Sequence, residues 1–122
     1  MINDVTDLDV YQEALKLLPG LYTLMDKVPR HELDLVSQTK RAAKSISANI
    51  AEGFGKRYFE KEFRRYLLNA IGSSDEVISH LRTLQIVLPN LEQDSVELLE
   101  KYKTLSKRLN KLHKVWSYKP QI

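Results

Sequence analysis

The chain contains no cysteine, and among its 122 residues there are only four glycines and four prolines. Without cysteine it can form neither a disulfide framework nor a cysteine metal site. This composition fits a reducing cytoplasm, where we expect the protein to reside. Because few residues break helices and few stretches alternate in the manner of strands, helical periodicity dominates the chain. We predict no strand.

Long apolar runs are also missing from the sequence. None approaches the roughly 20 residues that a helix needs to span a bilayer. The N-terminal MINDVTDLDV lacks the basic and then apolar stretch of a secretory signal. We therefore expect neither membrane insertion nor export. A chain of this length can bury one continuous core, and we predict a single domain over residues 1–122.

Charge is unevenly distributed, although the formal net charge is only +3. The number of Lys and Arg minus the number of Asp and Glu is −4 for residues 1–36 and +5 for 37–72. It is −5 for residues 73–100 and +7 for 101–122. Acidic and basic blocks thus alternate, and this pattern bears more on the choice of partners than the total does.

Four amphipathic segments repeat apolar residues at helical spacing. Their predicted bounds are approximately 7–27, 31–53, 58–88 and 91–117, and we expect the remaining residues to 122 to form a frayed tail. The fourth segment repeats at intervals of four and three, a heptad seam that favours neighbours at a shallow crossing angle. Short connections then predict an all-α fold, an antiparallel, left-handed, up-down-up-down four-helix bundle.

The first segment carries two adjacent apolar sets, which leaves two interpretations open. It is either a deeply buried core helix or a helix that also contacts another copy of the chain. We expect Thr6 to cap it, and Pro19 and Gly20 to kink it without breaking it, because the apolar pattern keeps its phase across them. At the end of the second segment, Gly53-Phe54-Gly55 predicts a helix terminated by glycine with a positive φ.

Cations gather around the predicted connection between the second and third segments, and again in the fourth. Lys61, Arg64 and Arg65 fall in the first turns of the third segment, where positive charge opposes the helix dipole. Their position indicates a role other than stability. The candidate nucleic-acid-binding residues are Lys40, Arg41, Lys44, Lys56, Arg57, Lys61, Arg64, Arg65, Lys107, Arg108, Lys111 and Lys114.

Asn49 and Glu52 lie in an otherwise apolar part of the second segment. If they are buried they need hydrogen-bond partners, which Asn69 and Ser73 of the third segment can provide. We interpret Asn49, Glu52, Asn69 and Ser73 as a structural polar network that fixes helix register. A catalytic carboxylate at Glu52 is the alternative.

No catalytic or metal-binding signature emerges from the sequence. A di-iron bundle needs Glu-x-x-His pairs on two helices, and none of the three histidines provides one; Glu76 and His80 are four apart and unmatched elsewhere. Gly53-Phe54-Gly55-Lys56 lacks the preceding strand and the spacing of a phosphate loop. We predict that the protein is not an enzyme and binds no cofactor and no metal; an enzyme using Glu52 or His80 is a minor alternative.

One stretch of the sequence resembles a known family. The matching residues are Gln38, Lys40-Arg41-Ala42-Ala43, Ser45-Ile46, Asn49-Ile50-Ala51-Glu52-Gly53, Glu62-Phe63, Ala70, Gly72-Ser73 and Glu76. These residues resemble the small bacterial four-helix-bundle proteins named for intervening sequences of 23S ribosomal RNA genes, also labelled S23 ribosomal proteins. Thr39, Ser47 and Tyr58 depart from the leucine, proline and hydroxyl cap that are usual there.

The resemblance implies a homopentameric, barrel-like assembly. Through a relation to the accessory protein of diversity-generating retroelements, it also implies binding of nucleic acid or of a nucleic-acid enzyme. It implies no catalytic activity. An interface with another copy of the chain would account for the two apolar sets of the first segment.

These observations predict a non-enzymatic oligomeric scaffold that binds RNA or DNA through phosphate contacts. We expect no sequence specificity, because no recognition helix, RNA-binding sheet or aromatic stacking platform is evident. The alternative is a protein-interaction module, or an accessory subunit of a nucleic-acid enzyme, whose cations meet an acidic partner.

Overall fold

The computed structural model describes residues 2–117, in which all regular structure is helical. Five α-helices follow one another: α1 (Asp9–Lys16), α2 (Leu18–Met25), α3 (Leu33–Phe54), α4 (Glu60–Val87) and α5 (Glu92–Val115). Short 3-10 turns at Val5–Asp7, Arg30–Glu32 and Pro89–Leu91 precede α1, α3 and α5. This confirms the all-α prediction. The tail predicted beyond residue 117 lies outside the described residues.

We predicted a kink near Pro19 without a break, but the first predicted helix is divided at Leu17, between the end of α1 and the start of α2. Pro19 has no N–H to donate to the preceding turn, whereas the amides of Leu17 and Leu21 still donate to the carbonyls of Glu13 and Leu17, at 3.1 Å each. The apolar faces of α1 and α2 therefore stay in phase across the division. We call α1 and α2 together the first helical unit.

The chain enters α1 through a capped 3-10 turn, and not through a helix capped by Thr6 as predicted. The carboxylate of Asp4 accepts hydrogen bonds from the hydroxyl of Thr6 (2.5 Å) and from its N–H (3.0 Å). These bonds lower the pKa of Asp4, and the N–H groups of Asn3 and Asp4 lower the pKa of Asp7. The reason for the difference is that Asp4 is the stronger acceptor, so the Thr6 hydroxyl acts as a donor.

Contacts between neighbouring helices pair residues in opposite chain directions. Between α3 and α4 the pairs are Phe54 with Phe63, Ser45 with Ser73, and Arg41 with Glu76. Between α4 and α5 they are Phe63 with Trp116, Ser74 with Ser106, and Gln85 with Ser95. Each of these two pairs of helices therefore runs antiparallel.

Each helical unit packs against two neighbours. Helix α4 contacts α3 and α5, while α1 and α2 also contact α3 and α5. Within residues 2–117, the backbones of α3 and α5 do not approach each other closely, and neither do those of α4 and the first helical unit. This is the arrangement of a four-helix bundle. The left-handed crossing of its helices remains a prediction.

One continuous hydrophobic core fills the bundle. Its fully buried side chains come from every unit and include Leu21, Ile46, Ile50, Phe63, Leu67, Leu81, Leu84, Tyr102, Leu105 and Leu109. Burying each such leucine, isoleucine or phenylalanine contributes about 1.5 to 3 kcal/mol relative to exposure. The hydroxyl of Tyr102 has no hydrogen-bond partner among the described residues, and burial raises the pKa of Tyr102.

Gly53 does not terminate α3 with a positive φ, which corrects our prediction. No described residue has a positive φ, and α3 continues through Gly53 to Phe54. A Cβ added at Gly53 would lie 2.5 Å from the Cβ of Tyr66 and 3.0 Å from the Cδ1 of Phe63. Glycine is required there because α3 and α4 approach each other closely.

Candidate nucleic-acid interface

The predicted nucleic-acid-binding residues divide into three groups in the structure. The α3 group comprises Lys40, Arg41 and Lys44; the connection group comprises Lys56, Arg57, Lys61, Arg64 and Arg65; the α5 group comprises Lys107, Arg108, Lys111 and Lys114. At 1.5 Å per residue, the α3 backbone rises about 21 Å between Lys40 and Phe54. The α3 group is therefore separate from the connection group.

The connection group and the end of the α5 group meet at one end of the bundle. The guanidinium of Arg64 donates a hydrogen bond to the carbonyl of Trp116 (2.6 Å), just after α5. The rings of Phe63 and Trp116 also meet edge to face, with centroids 4.6 Å apart. The last turns of α5 thus lie beside the first turns of α4. We call the surface formed by Lys56, Arg57, Lys61, Arg64, Arg65, Lys111 and Lys114 the basic end.

Three cations of the basic end have structural partners. Arg57 donates hydrogen bonds to the carbonyl of Phe54 (3.1 Å) and to the hydroxyl of Tyr58 (3.3 Å). The bond from Arg64 satisfies a carbonyl at the negative end of the α5 dipole. Arg65 forms an ion pair with Glu62 at 3.0 Å, and this contact raises the pKa of Arg65. The positions of Arg64 and Arg65 in α4 are therefore explained by folding. Of the three cations that oppose the dipole of α4, only Lys61 still indicates a role other than stability.

Aromatic rings are interleaved with the cations of the connection. The guanidinium of Arg57 lies 4.2 Å from the ring centroid of Phe54 and 4.8 Å from that of Tyr58. Next in the chain, Phe59 is 69% exposed. We predicted no aromatic platform. The sequence does show two adjacent aromatic residues there, Tyr58 and Phe59, but whether their rings are exposed depends on where α4 begins.

Acidic residues of the N-terminal segment neutralise part of the α5 group. Arg108 contacts the carboxylate of Asp9 at 3.5 Å. Arg108 and Lys111 also line a groove that Asp7 and Asp9 share. A phosphate at Arg108 must compete with these carboxylates, whereas Lys107 and Lys114 are exposed and form no ion pair with any described residue.

The α3 group forms a smaller basic surface. The ammonium of Lys40 lies 4.5 Å from the ring centroid of Tyr22. Arg41 contacts Glu76 at 2.5 Å, and the same carboxylate oxygen lies 3.1 Å from Nε2 of His80. Glu76 thus holds both residues, which gives His80 a structural contact. In residues 2–117, no three His, Asp or Glu side chains converge in a way that could hold a metal ion.

Of the four residues predicted as a polar network, Asn49 and Ser73 both contact Ser45, whereas Glu52 and Asn69 do not join them. Asn49 donates to the carbonyl of Ser45 on its own helix (2.8 Å), and Ser73 accepts from the hydroxyl of Ser45 (2.5 Å). The side chains of Glu52 and Asn69 are exposed and form no hydrogen bond within the described part of the chain. Each of them lies two residues, or about 200° of helix rotation, past a fully buried side chain.

Small hydroxyl groups provide the polar contacts between helices instead. Besides Ser45 and Ser73, the hydroxyl of Ser106 on α5 donates to that of Ser74 on α4 at 2.7 Å, and both side chains are buried. Because a buried hydroxyl without a partner is costly, this pair favours one register of α4 against α5. Of these four serines, only Ser73 was predicted to take part in a polar contact between helices.

Comparison with known families supports the resemblance seen in the sequence. Residues 6–111 match a family model described as 23S rRNA-intervening sequence protein. The match extends from the 3-10 turn before α1 into the last turns of α5. A search of curated proteins finds no match to the chain. None of the helices in residues 2–117 is long and apolar enough to cross a membrane.

Proposed function

We propose that this chain, which belongs to the 23S rRNA-intervening sequence protein family, is a non-enzymatic oligomeric scaffold that binds RNA or DNA at its basic end. The observation that carries the proposal is the meeting of cations from two segments far apart in the sequence. Residues 56–65 contain five Lys and Arg against two Glu. Residues 101–117, which include the α5 group, contain no Asp or Glu, and α5 ends beside residues 56–65.

Phosphate contacts account for binding of this kind. Exposed Lys and Arg side chains displace the counterions that surround a nucleic acid, and this release drives association. If Lys56, Arg57, Lys61, Lys111 and Lys114 each neutralise one phosphate, log K falls with log salt at a slope of about −4.5 on duplex and about −3.5 on single strands. Such contacts position the ligand but carry no base information.

We further propose that the protein self-associates through the outer face of the first helical unit. Of its two apolar sets, one faces the core, since Ala14, Leu17, Leu21 and Leu24 are buried. Of the other set, Leu8 and Met25 are also buried. Its exposed part contributes to an apolar depression lined by Leu15, Leu18, Pro19 and Tyr22. We call these four residues the outer strip. The pentamer implied by the family resemblance would give each assembly several basic ends, which raises avidity without new contacts.

The experiment that tests nucleic-acid binding is a salt titration of the purified oligomer with labelled RNA and duplex DNA. We expect binding at low salt that weakens steeply as salt rises. Absence of binding even at low salt would remove nucleic acid from the proposal.

A protein-interaction module is the second candidate, including an accessory subunit of a nucleic-acid enzyme. It is favoured by the ease with which cations of this chain pair with carboxylates, as Arg41, Arg65 and Arg108 do with Glu76, Glu62 and Asp9. An acidic partner could use the same side chains. Retention of an acidic protein by the oligomer, without any binding of nucleic acid, would favour this candidate.

A further inference from the structure

We infer that the basic end takes single-stranded nucleic acid in preference to duplex, with an unpaired base stacked on the ring of Phe59. This inference rests on the proposed function and names the ligand class of the same site. Its starting point is an exposed aromatic side chain set between cations. Phe59 is 69% exposed, and it lies in the connection between α3 and α4 with Lys56, Arg57 and Lys61 on either side in the sequence.

The backbone holds Phe59 in a defined position. Its N–H donates to the carbonyl of Lys56 at 3.0 Å. Its own carbonyl accepts from the N–H groups of Glu62 (3.0 Å) and Phe63 (3.1 Å), which are the first hydrogen bonds of α4. The exposed ring therefore projects from a fixed helix start, so that little backbone freedom is lost when a ligand binds.

Folding does not account for a phenylalanine at this position. Phe59 is the N-cap residue of α4 and provides no side-chain hydrogen bond to the helix. Ser, Thr, Asp and Asn are preferred at N-caps because their side chains accept from the unpaired N–H groups of the first turn. The nearby Phe54 and Phe63 bury their rings and pack edge to face, with centroids 6.2 Å apart. The side chain of Phe59 therefore neither caps the helix nor is buried in the core.

A stacking ring beside cations fits single strands. Proteins that bind single strands without sequence preference combine aromatic side chains, on which bases stack, with a positively charged surface that follows the phosphates. Residues 56–65 have a net charge of +3. In a duplex the base faces are already stacked on one another, so Phe59 can reach them only by unstacking. An acidic peptide can pair with the cations but has no base to stack on the ring of Phe59.

The test compares three labelled ligands by fluorescence anisotropy at one salt concentration. They are an oligothymidylate of about 16 nucleotides, a strand of equal length with abasic sites, and a duplex of equal length. We expect the oligothymidylate to bind about tenfold more tightly than the abasic strand, which is within the range of one base stacking on an aromatic ring. We expect Phe59→Ala to bring the affinity for oligothymidylate down to that for the abasic strand.

Three further variants keep the result interpretable. Phe59→Trp should retain the preference, because it keeps a stacking face. Phe59→Ser should lose it while raising Tm, because serine supplies the missing cap, and this separates lost binding from lost folding. Leu68→Ala is the matched control, because Leu68 is an apolar residue on α4 that is 53% exposed. It should leave all three affinities unchanged.

Other outcomes would overturn the inference. Equal affinity for all three ligands, unaffected by Phe59→Ala, would overturn it and leave the proposed function intact. No binding of any of them at low salt would overturn both. Binding of poly-glutamate that depends on Phe59, with no binding of oligothymidylate, would also overturn both and would favour an acidic protein partner.

Discussion

Gly53 of α3 lies so close to Tyr66 of α4 that a Cβ at position 53 would stand 2.5 Å from the Cβ of Tyr66. This close approach sets the spacing of the two helices just before the connection that joins them. The ring of Tyr66 in turn lies 5.2 Å from the ammonium of Lys56 and 4.5 Å from the guanidinium of Arg65, measured to its centroid. Gly53 thus packs against the residue whose ring contacts two cations of the basic end.

Gly53→Ala should destabilise the protein by about 1 to 3 kcal/mol, because the added methyl overpacks the helix contact. This destabilisation is the net effect, after the gain of about 1 kcal/mol in helix propensity has been subtracted. Gly72→Ala is the matched control: it also lies within a helix, but its Cβ would meet nothing within 4 Å. Gly72→Ala should therefore stabilise by about 0.5 to 1 kcal/mol. Urea unfolding measures both, and equal stabilisation by the two variants would contradict the close approach.

Arg64→Ala and Lys61→Ala should separate stability from binding. Arg64 donates a partly buried hydrogen bond to Trp116, so its removal should lower the free energy of unfolding by about 1 kcal/mol or more. Lys61 is exposed and forms no ion pair with a described residue. Its removal should leave stability unchanged and reduce the salt slope of nucleic-acid binding by about 1. A stability loss at Lys61 as large as that at Arg64 would show that this distinction is wrong.

Leu15→Glu should dissociate the proposed oligomer, because it places a charge in the outer strip. Leu15 is 41% exposed in the single chain, so the substitution costs the isolated bundle little. Val96→Glu is the control, since Val96 on α5 is 42% exposed and does not line the apolar depression. Size exclusion coupled to light scattering measures the mass of each variant. Identical masses for wild type and Leu15→Glu would exclude the outer strip as the contact surface.

The Asp4 cap should stabilise the protein only while its carboxylate is charged. The hydroxyl and N–H of Thr6 lower the pKa of Asp4 below its ordinary value of 3.8. A lowered pKa in the folded state gives a contribution that is present above 3.8 and is lost as the pH falls through the folded pKa. The difference in urea midpoint between wild type and Asp4→Ala should therefore shrink between about pH 6 and about pH 2. A difference that grows on acidification would contradict this cap.

The sequence predicted helices better than it predicted their ends. Apolar spacing averages over many residues, so the bundle was recoverable from it, whereas the division of the first predicted helix at Leu17 was not. Helix ends depend on single residues with more than one use. Gly53 suits either a positive φ or a close helix contact, and only the position of Tyr66 distinguishes them. Thr6 can accept or donate, and Asp4 decides which.

The candidate site was less predictable for a related reason. Because the basic residues follow one another closely in the sequence, Lys40 and Lys56 were predicted to belong to one cluster. In the structure the length of α3 separates them. Arg64 looked free for a ligand, although its partner Trp116 lies on another helix and could not be identified from local pattern. Glu52 lay in an apolar stretch, yet the rotation of α3 turns it to the surface. Each of these outcomes required the packing between helices to be known.

Nucleic-acid binding at the basic end is tested most directly by the affinity of the wild-type protein for labelled single-stranded RNA or DNA as a function of salt. We expect tight binding at low salt and a log-log slope of about −3.5, with Lys61→Ala reducing the magnitude of that slope by about 0.7. No measurable binding at the lowest salt, or an affinity that does not change with salt, would contradict the proposal.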